Sequence, residues 1–491
     1  MSELFDITKF NSYKEDNRRE VKKASGGLPL SLWETYSAFA NCYGGVIILG
    51  VKEENDKSWH TTGLKNADKL QKDFWDTLNN RTKISANILT EKDVEIYELN
   101  GDVIMVIQVP MAHRDVRPVY INGDLLGSTF RRNFEGDYRC TKEQVKAMLR
   151  DQSDETVDMQ VLEDADISEL NFDSVHGYRN SHKSFKPGHP FERLDDNEYL
   201  RAIGAAAVSR SDGKLHPTEG GMLMFGNEYN IVRYFPEYFL DYRENPDNII
   251  RWTDRLQSSS GEWSGNVFDF FYRVYNKISL DLKVPFKMEG AFRVEDTPVH
   301  KALREALANC IINADFKGKF GIVIKKEPGK LTFENPGYIR IGKEQMRRGG
   351  LSDPRNKALM KMFNMINIGE HAGSGVPNIF NVWEDEGWTE PEIIESFEPG
   401  RTTLVLSFDK KQAIKTSDKK QAIKTSDKKA AIKEKIIAYL TEHADGKTSD
   451  IAQHVNLSDS RTRVYLTELS KSGIIVAEGK GNRDRRYRLK K

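Results

Sequence analysis

The run from Ser31 to Val51, SLWETYSAFANCYGGVIILGV, constrains the fold more than any other stretch of the chain. Leu32, Tyr36 and Phe39, with Ala38 and Ala40, recur at helical spacing, and Gly44-Gly45 supplies the glycines that a helix C-terminus prefers. Val46 to Val51 is then a short apolar run of strand type, followed at once by the acids Glu53, Glu54 and Asp56. Upstream, EDNRREVKK sets Glu15 and Glu20 five residues apart with Lys22 two further on, and the alternation of a strand puts Glu20 and Lys22 on one face. If the two strands are neighbours in one sheet, Glu53 joins Glu15 and Glu20 in an acidic pocket able to hold a divalent cation. The competing reading is a charged strand with solvated carboxylates.

Glu15, Glu20 and Lys22, followed by Ala38-Phe39-Ala40-Asn41 with Gly44-Gly45 and then Gly50-Val51-Lys52-Glu53, resemble the Schlafen-type AlbA-like domain. The resemblance covers roughly the first third of the chain. In the animal Schlafens whose core cleaves transfer and ribosomal RNA, three acids at these places form the active site. Carried over by position they are Glu15, Glu20 and Glu53, with Lys22 beside them. The resemblance thus implies a metal-dependent endoribonuclease with Mg²⁺ or Mn²⁺ on the three carboxylates. Glu53 stands where an Asp is usual, which lengthens the third ligand by a methylene. The segment VYINGDLLGSTFRRNFEGDYRC resembles the closing strand of the same domain and brings Arg131 and Arg132 near the end of the sheet. Two adjacent arginines there suit a phosphate backbone, or ordinary solvation.

At 491 residues the chain exceeds one ordinary core, and its length suggests about three domains. Lys plus Arg equals Asp plus Glu at 74 each, so nucleic-acid binding must come from local patches rather than a global positive field. Cys42, Cys140 and Cys310 are widely separated, lack metal-ligand spacing and read as buried, reduced thiols. No run of about 18 apolar residues occurs, and the N-terminus lacks the basic start and apolar core of a signal peptide. The expectation is a cytoplasmic protein with no membrane partner; its oligomeric state is left open, a homo-oligomer included.

Further along, Leu70, Phe74 and Leu78 mark a helix, and Asn100-Gly101 joins two strands by the strongest short hairpin signal. An acidic, irregular stretch marks a boundary near 155 to 190. DNEYLRAIGAAAVSRSDGKLHPTEGGMLMFG reads as a helix, an Asp212-Gly213 turn and a second helix entering an apolar strand. EYFLDYRENPDNIIRWTDRLQ alternates as strands, and NVFDFFYRVYNKISLDL is an amphipathic helix.

In VHKALREALANCIINADF, Glu305, Asn309 and Asn313 follow at four-residue steps and share a helix face, which either meets water or lines a ligand site. The hairpin GIVIKKEPGKLTFENPG and the helix and glycine turn of DPRNKALMKMFNMINIGEHAGSGV come next. With Arg304, Asn335-Pro336-Gly337, Arg355-Asn356, Glu370 and Gly373-Ser374-Gly375, they resemble a divergent GHKL-type ATPase domain of the kind that follows Schlafen-type domains in bacterial proteins. That resemblance implies ATP as a ligand. Glu305 would activate water, Asn309 would hold Mg²⁺, and Gly337, Gly373 and Gly375 would turn backbone N–H groups toward phosphates. Asn313 and Ala314 replace the family's His and Arg, and Glu334 to Gly337 replace its adenine-recognising Asp-x-Gly-x-Gly turn. These departures weigh more against hydrolysis than against binding.

After Phe408, DKKQAIKTS occurs twice in tandem and reads as a solvated basic linker. The final segment has the pattern of a winged helix-turn-helix: Arg461 and Arg463 open the third helix, and Arg483 and Arg485 crowd the wing, an arrangement that suits a DNA major groove and its flanking phosphates. The expected class is α+β and multidomain. Residues 1–155 form the Schlafen AlbA-like domain, 156–290 an adaptor and 291–407 a divergent GHKL-like α/β sandwich; 408–430 is a linker and 431–491 the winged helix. Two functions remain: an RNA-cleaving enzyme, with transfer RNA as one substrate class, gated by nucleotide or partner binding, and a non-catalytic, nucleotide-responsive DNA-binding transcriptional regulator.

Overall fold

The computed structural model describes residues 4–490 apart from 154, 246–252, 281–286, 290–291, 295–296, 370–372, 398, 411–431, 434, 444, 456, 458, 473 and 479–485. The chain forms two compact units, Met1–Lys411 and Gln412–Lys491. The tandem repeat of the linker lies outside the described residues.

The first unit opens with β1 (Arg19–Lys22), α1 (Ser31–Asn41), β2 (Gly45–Leu49), the short pair β3 (Val51–Glu53) and β4 (Trp59–Thr61), and α2 (Ala67–Leu78). β5 (Val94–Leu99) and β6 (Asp102–Val109) complete a four-stranded sheet in the order β1-β2-β6-β5, with β1 parallel to β2 and the other pairs antiparallel. Every residue of β2 is buried because both faces of the sheet are covered, which is why it reads as a continuous apolar run rather than an alternation. Ile47 and Leu49 meet Leu32, Tyr36, Phe39 and Phe74 on one side. Val46 and Ile48 meet Phe5, Phe10 and Trp59 on the other. The double glycine is fixed by this packing: a Cβ on Gly45 would fall 2.6 Å from the Phe39 ring, and Gly44 has φ +71°. Asn100 and Gly101 both take positive φ, as a two-residue hairpin turn requires.

A separate hairpin, β7 (Phe130–Asn133) with β8 (Gly136–Arg139), lies against α1, and α3 (Lys142–Gln152) leads onward. Next come α4 (Phe172–Phe185), α5 (Asp196–Ile203), β9 (Ala206–Val208), β10 (Leu215–Pro217), α6 (Glu219–Phe225) and α7 (Glu228–Tyr234). The second helix expected after the Asp212-Gly213 turn is α6, but it does not enter a strand: the apolar string MLMF is the body of the helix, started by the Thr218 hydroxyl, which accepts a hydrogen bond from the Gly221 N–H at 3.0 Å.

β11 (Leu240–Glu244), β12 (Asp254–Gln257), α8 (Val267–Ser279), β13 (Lys287–Glu289), β14 (Phe292–Val294) and α9 (Pro298–Ile312) follow. The unit ends with β15 (Ile322–Glu327), β16 (Lys330–Pro336), α10 (Lys343–Arg348), α11 (Lys357–Met365), α12 (Gly375–Asp385), β17 (Glu392–Phe397) and β18 (Gly400–Ser407). Six strands make one sheet, β12-β11-β15-β16-β18-β17, under α8, α9 and α12. The boundary expected at residue 290 therefore runs through a shared sheet: β11 and β12 come from the adaptor segment, and a single hydrophobic core extends from Leu162 to Leu406.

The second unit contains α13 (435–442), β19 (Gly446–Lys447), α14 (Thr448–Val455), α15 (Asp459–Lys471), β20 (Ile475–Glu478) and β21 (Arg486–Leu489). Three helices pack on the sheet β19-β21-β20 through Ile436, Leu440, Ile451, Leu466, Leu469 and Ile475, the winged-helix arrangement expected. Among the described residues no helix is long and apolar enough to cross a membrane.

Candidate nucleic-acid site

Glu20 and Lys22 share one face of β1, and the Lys22 ammonium donates to Glu20 Oε1 at 2.9 Å. Glu20 Oε2 accepts from Arg132 at 2.8 Å. Glu15, just before the strand, accepts from the Val21 N–H at 3.0 Å, and its own N–H donates to Glu53 Oε1 at 2.7 Å. Glu53 also accepts from Trp59 Nε1 at 3.2 Å and from Lys57 at 3.1 Å. The pairing of β1 with β2 and the direct continuation of β2 into β3 bring these residues together, as the sequence predicted for neighbouring strands.

The three carboxylates differ in character. Burial, then the charges of Glu20 and Glu53, push Glu15 from its ordinary value of 4.5 up to about 7. Burial also pushes Glu53 upward, but the N–H of Glu15, Lys57 and Trp59 outweigh it and hold this carboxyl below its ordinary value. One group of the cluster thus holds or gives up a proton near neutrality beside carboxylates bound to cations, the condition for a general acid or base. The cost appears as a pH effect on stability. Since folding raises the Glu15 pKa, the folded state binds more protons than the unfolded one between pH 4.5 and about 7, and stability falls as pH rises through that window. Urea unfolding of Glu15→Gln against the unmodified protein is expected to favour the variant increasingly across this window, with a constant difference above it.

The expected metal-ligand set of Glu15, Glu20 and Glu53 is not assembled. Among the described residues no group of three or more His, Cys, Asp or Glu side chains is placed to hold a metal ion. The reason is local: Glu20 is turned to Lys22 and Arg132, and Glu53 to Lys57 and Trp59. Arg131 and Arg132, expected to meet phosphates, are both buried. The Arg132 guanidinium bridges Glu20 and Asp137, at 2.8 and 2.9 Å, and lies 5.2 Å from the Phe39 ring centroid. Arg131, on the opposite face of β7, lines a pocket with Tyr43, Gln144, Tyr338 and Glu395. Both arginines serve the fold because β7 is enclosed rather than an open sheet edge.

In the middle of the chain, Glu305, Asn309 and Asn313 line one cavity of about 130 Å³ together with Gly373, Gly375 and Asp353. The polar stripe of α9 therefore faces a cavity. Asn309 Nδ2 donates to Glu305 Oε1 at 2.8 Å, and a Cβ on Gly375 would fall 1.8 Å from the same oxygen, so the start of α12 must be bare to pass Glu305. Gly337, at φ +103°, is not among the lining residues; a Cβ there would fall 2.2 Å from the Arg355 guanidinium, for which the glycine makes room. Glu370 lies outside the described residues. In the second unit Arg463 is exposed on α15, while Arg486 and Arg488 pair with Asp445 and Glu478. The Arg461 side chain, and Arg483 and Arg485 altogether, lie outside the described residues.

Residues 9–141 match the family model described as "Schlafen, AlbA_2". The N-terminal domain is a Schlafen AlbA_2 domain. Residues 146–241 match a domain of unknown function, DUF8451; 321–406 match "Putative ATP-dependent DNA helicase recG C-terminal"; 432–481 match "FaeA-like protein". Among solved structures, the crystal structure of the DIP2311 protein from Corynebacterium diphtheriae is 18% identical over 96% of this chain and 92% of that one, with a TM-score of 0.42. The solution structure of the N-terminal domain of a RecG-related protein from Nitrosomonas europaea is 25% identical over 29% of this chain and 96% of that one, with a TM-score of 0.22. No curated protein matches. The domain matches together support a nucleic-acid-binding protein.

Sequence reasoning missed what holds the Schlafen AlbA_2 domain in place. Asn41 of the Phe-Ala-Asn string is buried and fully used: it donates to the carbonyls of Val119 and Phe130 at 2.8 and 3.0 Å and accepts from the Val119 N–H at 2.8 Å. Asp151, from α3, grips Arg355 with both oxygens, at 2.9 and 2.7 Å, and Arg114 pairs with Asp353 at 2.8 Å. The Tyr43 hydroxyl donates to Glu395 at 2.5 Å, and the other oxygen of that carboxylate accepts from the Ile339 N–H at 2.8 Å. One signal for Asp137 was available: the hairpin register sets it directly opposite Arg132.

Proposed function

We propose that the protein binds RNA and cleaves its phosphodiester bonds at the Schlafen AlbA_2 domain. The observation that carries this reading is the Glu15 carboxyl, held by the Val21 N–H in the field of Glu20 and Glu53 and poised to exchange a proton near pH 7. In this reading Glu15 takes the proton of the attacking oxygen as that oxygen bonds to phosphorus; the P–O bond to the neighbouring nucleotide breaks and its oxygen takes a proton from solvent, while the Lys22 ammonium turns from Glu20 to the phosphate and offsets the charge that develops. Arg132 positions Glu20 from beneath. The winged helix would add DNA binding through Arg463, with Arg461, Arg483 and Arg485 as further contacts.

The test is incubation of the purified full chain with a structured RNA such as transfer RNA, with Mg²⁺, with Mn²⁺ and with chelator. Cleavage by the unmodified protein and its loss in Lys22→Ala, with RNA binding retained, is the expected result. RNA left intact under every condition removes the reading.

One observation favours the regulator reading instead: Glu305, Asn309, Gly373 and Gly375 meet at a single cavity. In that reading Asn309 would hold the Mg²⁺ of a nucleotide and Glu305, which packs against the bare Gly375, would face the attacking water. Bound there, a nucleoside triphosphate would supply an energy-rich phosphate bond. Intact RNA together with ATP-dependent binding of duplex DNA would give this reading precedence.

A further inference from the structure

The β7–β8 hairpin carries Phe134 and Glu135 at its tip, between the paired residues Asn133 and Gly136. Phe134 takes φ +54°, a left-handed conformation that a bulky side chain rarely adopts, and it is 75% exposed. Tyr138 is 54% exposed and lies over Gly136, where a Cβ would fall 2.6 Å from its ring. Neither ring contributes to a hydrophobic core.

This arm is tied to the acid cluster twice near its turn. One pair back from the turn, Arg132 joins Asp137 to Glu20. At its tip the Lys57 ammonium lies 3.1 Å from Glu53 and 3.0 Å from Glu135, so the residue next to Phe134 is linked to the cluster through one side chain. Arg139, also exposed, closes the hairpin opposite Phe130.

We propose that Phe134, at the turn beside the acid cluster, and Tyr138, on the outer face of the same arm, form the stacking platform on which this hairpin takes the bases of single-stranded RNA, with Arg139 meeting the backbone phosphates. Every base has a π face, so such a platform selects strand state rather than sequence. A duplex hides those faces in its own stack. Lys57 and Arg132 hold the turn of the arm beside Glu20 and Glu53, so a strand that passes from Tyr138 over Phe134 is led toward the acid cluster. The use made of that placement rests on the proposed cleavage; the binding itself does not.

The experiment compares the full chain with Phe134→Gly, Tyr138→Ala and the double variant. Glycine is chosen because φ +54° suits it, so the ring is removed without backbone strain, and melting temperature checks the fold. Binding of a short labelled single-stranded RNA is read by anisotropy in a Glu15→Gln background, and cleavage is read separately. Each single change is expected to raise Kd and KM about tenfold, the double change more, with the effect on KM rather than kcat. Phe134→Trp should retain binding, and duplex RNA of the same sequence should respond to none of the changes. Equal affinity in the folded double variant and the unmodified protein, or no binding by either, overturns the platform. Aromatic-dependent binding without cleavage by the unmodified protein upholds the platform and defeats the cleavage reading.

Discussion

Glu15→Gln is expected to lower RNA cleavage about 10²- to 10⁴-fold while leaving RNA binding unchanged. Glutamine keeps the shape that accepts the Val21 N–H but cannot take a proton. The unmodified protein should gain activity as pH rises through about 7, where Glu15 loses its proton and becomes the base, and the variant should show no such rise. Glu20→Gln would act through different contacts, since it leaves Arg132 and Lys22 facing a neutral amide and shifts both. An initial-rate profile of the two variants between pH 5.5 and 8.5 separates them, those limits being set about 1.5 pH units either side of the Glu15 midpoint. A Glu15→Gln protein that cuts as fast as the original makes the cluster a charged surface.

Arg355→Ala is expected to reduce the unfolding free energy of the first unit by roughly 3–5 kcal/mol, because it leaves the Asp151 carboxylate buried with its principal partner removed. Both oxygens of Asp151 accept from Arg355, and Arg340 stands 3.7 Å away. Burial raises the Asp151 pKa, but Arg355, then Arg340 and Arg117, outweigh it and hold the carboxyl below its ordinary value of 3.8. The pair's contribution is therefore complete above that pH and is lost as pH falls below it. Urea midpoints at pH 7 and pH 3 measure both effects. The double change Arg355→Met with Asp151→Leu should recover part of the loss, since a pair of apolar side chains leaves no uncompensated charge.

Much of the fold was legible because local signals and packing agree. The stripe of α1, the Leu70, Phe74 and Leu78 stripe of α2, the Asn100-Gly101 turn and the winged helix all stand where the pattern put them. MLMF became a helix because length and hydrophobicity do not separate a buried strand from a buried helix, and the cap at Thr218 decides. The join of β11 to β15 pairs Leu240 with Ile322, a partnership far apart in sequence that no local pattern announces. At the site, strand alternation correctly put Glu20 with Lys22. What alternation could not give was competition among partners: Arg132 is near the acids as expected, but buried beneath them rather than open to a phosphate.

The latch of Tyr43 on Glu395 and the grip of Asp151 on Arg355 bear on how the molecule can be taken apart. A cut after α3 would keep the whole Schlafen AlbA_2 match yet strip Arg114 of Asp353 and Tyr43 of Glu395, and would free Arg355 on the remaining piece. A fragment ending there exposes groups that the joined chain pairs on its inner surface, so the proposed cleavage is to be tested on the full chain.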